Sequence, residues 1–108
     1  MEEFILVLVT ASGKQEAEDL AMKLINSGLS PCVNIVGPCS SIYQWKGELR
    51  HDEEVLMLIK SKRDLFADVQ SLVEKNHSYD VPEIIGVGLD CLSEKYAAFL
   101  RGFLEETP

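Results

Sequence analysis

The sequence predicts an α+β fold of the ferredoxin-like kind: a β-α-β-β-α-β order giving one antiparallel sheet with two helices on one face, plus a short C-terminal helix. Three observations lead there. Two continuous apolar runs, Phe4–Val9 and Val55–Ile59, read as central strands. Two segments, 13–27 and 61–76, carry apolar residues at helical spacing. A Lys46-Gly47-Glu48 turn joins the middle strands into a long hairpin. At 108 residues, 46% hydrophobic and four prolines, residues 1–108 are expected to form one domain. A chain of this size buries roughly two-thirds of its unfolded surface, so its stability requires no disulfide and no cofactor.

Each element has a local reason. After the first strand, Ser12 with Gln15 three residues on is a capping-box signature. Ala17, Leu20, Ala21, Leu24 and Ile25 then recur at helical spacing until Gly28, and Pro31 prevents continuation. Cys32–Val36 and Ser40–Trp45 are extended stretches broken by Gly37-Pro38, which predicts a bulged or bent second strand. Ser61 with Asp64 is read as the next helix start, and Leu65, Phe66, Val69, Leu72 and Val73 form its apolar face as far as Asn76. A loop, His77–Pro82, leads to a fourth strand, Ile84–Leu89, whose two glycines imply a bulge or close packing. Ser93, Tyr96, Phe99, Leu100 and Phe103 make the closing helix.

Helices on one face would leave the other sheet face bare. Yet the first and third strands are apolar at nearly every position, so that face also calls for cover, and self-association is the simplest cover. The net charge of -8 and the absence of a basic block disfavour nucleic acid as a partner. The longest apolar run falls far short of the roughly 20 residues of a membrane span, so no membrane insertion is expected. Glu2 and Glu3 oppose a signal peptide, and three cysteines without C-x-x-C spacing fit reduced thiols, so the expected location is cytoplasmic.

The blocks Cys32-Val33-Asn34-Ile35, Ser41–Gly47, Glu54-Val55 with Ile59-Lys60, and His77–Ile85 follow in a fixed order, with Tyr96 in the closing helix. Together they resemble the CutA family of divalent-cation tolerance proteins nearly end to end. The resemblance implies a ferredoxin-like subunit in a tight homotrimer built like the PII signalling proteins, with hairpin edges pairing between neighbours. It also implies a role in the response to divalent metal ions, notably copper. The metal site it implies uses a cysteine ending strand one and two adjacent histidines after helix two. Those positions here are Val9, Asn76 and His77, so His77 alone carries over as a good ligand.

Two residues stand as candidate metal ligands. His77 is one, with a helix-capping role as the plainer reading; Cys32 is the other, with a small buried hydrophobe as the plainer reading. Tyr43, Trp45, Glu54, Lys60, Tyr79 and Glu83 are candidate pocket residues for a small anionic or metal-chelated ligand at a cleft between subunits. Tyr43 and Trp45 also read as plain interface anchors. Asp52-Glu53-Glu54 reads as a solvated charge run, since only alternate strand residues share a side. No nucleophile elbow, Walker loop or placed Cys–His pair marks an enzyme, and no catalytic residue is assigned. The function expected is therefore a non-enzymatic, metal-binding homotrimer, with a PII-like scaffold holding a metabolite or protein partner as the alternative.

Overall fold

Alternation along β1 (Phe4–Ala11) decides which sheet face is closed. Ile5, Val7, Val9 and Ala11 point one way, joined by Met57 and Ile59 from β3 (Glu48–Lys62). They meet Ala17, Leu20, Ala21 and Leu24 of α1 (Lys14–Asn26) and Val69 and Val73 of α2 (Phe66–Asn76), and all of these are buried. Each such aliphatic side chain contributes about 1.5–3 kcal/mol by leaving water, so this face holds the main core. The computed structural model describes residues 3–106.

The sheet order is β2-β3-β1-β4, with β2 at Cys32–Trp45 and β4 at Ile84–Gly88. Every pairing is antiparallel, giving the ferredoxin-like α+β arrangement that the sequence predicts. On the second face Leu6, Leu8, Leu56 and Leu58 are half-buried, while Val36, Ile85 and Val87 are 50%, 46% and 44% exposed. α3 (Glu94–Glu106) covers only one end of that face, where Leu100 and Leu104 pack on Phe4. It runs 13 residues, as long as α1, because its apolar spacing continues to Leu104.

Local details differ from expectation in instructive ways. Gly13, not Ser12, is the N-cap of α1. The Ser12 backbone N–H and hydroxyl both donate to Glu16 Oε1, each at 2.9 Å, while Gln15 pairs with Asp19. Ser61 starts no helix: it is the buried penultimate residue of β3, its hydroxyl donating to the Leu29 carbonyl at 2.7 Å. A 3-10 turn at Arg63–Leu65 then feeds α2. The bulge falls between Val36 and Cys39, at the expected Gly37-Pro38. At the hairpin tip Lys46 and Gly47 have φ of 50° and 80°, a pair of positive values that matches the right-handed twist of the flanking strands. Gly86 lies where a Cβ would meet the Phe66 ring at 3.0 Å, so its role is close packing of α2 on β4.

Candidate functional site

The loop after α2 turns back over the end of β1, and this brings His77 against Thr10. His77 Nε2 is 2.8 Å from the Thr10 carbonyl, and its Nδ1 is 3.1 Å from the Tyr79 backbone N–H. A backbone N–H can only donate, so Nδ1 accepts and the ring proton sits on Nε2, donating to Thr10. The side chain is fully buried. Both nitrogens are thus committed to the fold, and a metal at Nδ1 would have to displace the Tyr79 bond. His77 stands at the C-cap of α2, but the side-chain bond to the last carbonyls comes from Asn76, whose amide donates to the Leu72 carbonyl at 2.8 Å.

Glu16 joins the same loop to α1. Its Oε2 accepts the Ser78 N–H at 2.8 Å and lies 3.9 Å from His77 Nδ1. Burial acts to raise its pKa, but the hydrogen bonds from Ser12 and Ser78 outweigh it and hold the carboxyl down at about 2. The sequence reading missed Glu16, although its place four residues after Ser12, in the first turn of a helix, is where a carboxylate can reach back.

Glu54 departs from the solvated run expected of Asp52-Glu53-Glu54. It is only 7% exposed, and Tyr79 donates its hydroxyl to Glu54 Oε2 at 2.7 Å. Burial first, and then this carboxylate, push the Tyr79 phenol up from its usual range. Glu54 also lines a cleft of about 490 Å³ between the start of α1 and the β2 bulge, with Ser12, Lys14, Glu18, Pro38 and Glu53. Asp52 accepts a hydrogen bond from Tyr43 on the projecting hairpin, and that contact raises the phenol pKa. Trp45, 39% exposed at the tip, has Lys46 Nζ 5.8 Å from its ring centre. Glu83 is exposed just before β4.

A second polar cluster occupies the other end of the sheet. Cys32 and Lys60 are directly paired across β2 and β3, with Lys60 Nζ 3.7 Å from Cys32 Sγ. The ammonium also donates to Asn34 Oδ1. Burial first, and then the neighbouring Cys32, raise the pKa of Tyr96 on α3. Lys60 pairs with Leu6 and Leu56 pairs with Thr10, so the Cys32 and His77 clusters are four residues, or roughly 13 Å, apart along β1. Within one chain, therefore, Tyr79 and Glu54 come together, whereas His77 and Cys32, or Glu54 and Lys60, do not. Among the described residues no group of three or more His, Cys, Asp or Glu side chains is placed to hold a metal ion.

Residues 5–102 match the family model for the CutA1 divalent ion tolerance protein. The chain is 37% identical over 101 residues to the divalent-cation tolerance protein CutA of Thermus thermophilus, covering 94% of this chain and 96% of that one. It is 36% identical over 97 residues to the chloroplastic protein CutA of Arabidopsis thaliana, covering 90% of this chain and 53% of that protein. The chain thus spans about half the length of this plant relative. Among solved structures, CutA1 from Oryza sativa superposes with a TM-score of 0.92 at 36% identity, over 96% of this chain and 95% of that one. The Thermus thermophilus protein superposes at 0.88.

Proposed function

The chain belongs to the CutA1 divalent ion tolerance family, and on that premise we propose that it is a non-enzymatic homotrimer acting in the response to divalent metal ions and binding a cation such as copper. One observation carries the assembly. The second sheet face keeps Leu6, Leu8, Leu56 and Leu58 half-buried and Val36, Ile85 and Val87 exposed. An apolar patch of this kind on an antiparallel sheet fits an interface with further copies of the chain. Three copies is the number that the family resemblance implies. The free thiols fit a cytoplasmic location.

His77 and Cys32 remain the ligands to test, each freed from its present partner or completed by a neighbouring subunit. The experiment is oligomer mass by light scattering together with calorimetric titration of copper and zinc into the reduced protein, His77→Ala and Cys32→Ser. A trimer with saturable binding that falls in either variant supports the proposal. A monomer overturns the assembly, and no saturable binding overturns the metal reading.

A second reading is favoured by the cleft at Glu54, whose volume of about 490 Å³ is within the range of small-ligand sites. On it the protein is a PII-like scaffold binding a small anionic metabolite between subunits, with Lys60, which lies outside this cleft within one chain, supplied as the cation by a neighbouring copy. A metabolite that raises the melting temperature of the wild type but not of Lys60→Met supports it.

A further inference from the structure

The Cys32–Lys60 pair is the place where two groups able to react with each other are held in contact by the sheet itself. The two residues face each other in the β2–β3 ladder, and the pairing continues through Val33↔Ile59, Asn34↔Leu58 and Ile35↔Met57. Directly opposed residues of this kind have Cβ atoms about 5 Å apart, so a short link between their side chains demands no backbone movement. Lys60 Nζ stands 3.7 Å from the sulfur, steadied by Asn34. All three cysteines are free, and Cys39 lies seven residues along β2, beyond the bulge, so Lys60 rather than another thiol is the partner on this strand pair.

We propose that hydrogen peroxide converts this pair into a reversible covalent bridge, a sulfenamide joining Cys32 Sγ to Lys60 Nζ. In the first step the Cys32 sulfur, as thiolate, attacks one peroxide oxygen. The S–O bond forms, the O–O bond breaks, and the departing oxygen takes a proton from the Lys60 ammonium and leaves as water. The sulfur is oxidised to a sulfenic acid and the peroxide is reduced. Lys60, now a neutral amine beside the new electrophile, attacks the sulfur. The S–N bond forms, the S–O bond breaks, and the hydroxyl leaves as water with one amine proton. Overall one thiol, one amine and one hydrogen peroxide give the bridge and two waters, and two equivalents of a thiol reductant restore both side chains. The bridge stops Cys32 short of irreversible sulfinic acid and removes the Lys60 charge from this sheet face.

The test is peptide mapping by mass spectrometry after brief exposure of the reduced protein to hydrogen peroxide. A cross-linked Cys32–Lys60 peptide is expected, two hydrogen atoms lighter than the sum of its parts and lost on treatment with dithiothreitol. Lys60→Arg keeps the positive charge but lacks the nucleophilic amine, so it should give no bridge and should accumulate sulfenic acid at Cys32, trapped by dimedone. Lys60→Gln serves as the second variant, with circular dichroism confirming that both fold. The proposal is overturned if Cys32 stays unmodified while Cys39 and Cys91 oxidise. It is equally overturned if Cys32 proceeds to sulfinic acid as fast in the wild type as in Lys60→Arg, or if the link retains the peroxide oxygen.

Discussion

The two polar clusters lie at opposite ends of the same pair of central strands and differ in what their side chains bind. Around Thr10, the polar atoms of His77 and Glu16 are spent largely on backbone groups: the Thr10 carbonyl and the N–H groups of Ser12, Ser78 and Tyr79. Around Lys60, side chains bind side chains, with Cys32 and Asn34 about one ammonium and Tyr96 next to Cys32. A side chain that satisfies backbone groups cannot leave without stripping them of their partner, whereas one that touches other side chains is free to change partner. The first cluster is therefore expected to hold the loop in place, and the second to be where chemistry proceeds at little cost to the fold.

The sharpest way to break that contrast is at His77. Replacing it with Ala empties a fully buried site and strands the Thr10 carbonyl and the Tyr79 N–H, at a cost of about 3 kcal/mol in urea unfolding. A loss below about 1 kcal/mol would show that the ring is dispensable to the loop and return it to the role of a ligand.

Glu16 ranks next, at about 2 kcal/mol for Glu16→Gln, since it receives N–H groups from two separate segments. Here pH adds a signature. The carboxyl titrates near 2 in the folded chain against an ordinary 4.5, so its stabilisation is complete above pH 4.5 and disappears as pH falls through 2. The gap between wild type and Glu16→Gln in urea midpoint should narrow over that window, and a gap independent of pH would refute the ionised cap. Tyr79→Phe follows, at about 1 kcal/mol, because it leaves the buried Glu54 carboxylate short of one donor; the same unfolding measurement reads it.

How much of this was legible in the sequence follows the same division. Strand and helix order could be read because apolar spacing records burial, and the hairpin because Lys46-Gly47 suits a turn with two positive φ values. Ser61 was misread because a serine followed three residues on by an aspartate resembles a helix start, while its actual partner, the Leu29 carbonyl, is 32 residues away in the chain. The same blindness to distant contacts hid the burial of Glu54, which depends on Tyr79 crossing from another loop. His77 and Cys32 were each recognised as chemically capable residues. Their separation along β1 is a matter of register, which spacing within each strand does not encode.

The smallest expected effect tests the contrast from its other side. In Lys60→Met the side chain keeps most of its aliphatic length and loses only the ammonium. Asn34 is exposed and turns to water, and the Cys32 sulfur is a weak acceptor that gives up little. Tyr96 keeps its contact with Cys32, and the ladder pairing of residue 60 with Cys32 and Leu6 runs through the backbone, which the substitution leaves alone. The urea midpoint should therefore move by no more than about 0.5 kcal/mol, against about 3 kcal/mol at His77. A loss above about 1 kcal/mol would mean that the ammonium is as built into the fold as the buried imidazole. The two ends of the strands would then be alike, and Lys60 would not be free to take Cys32 as a covalent partner.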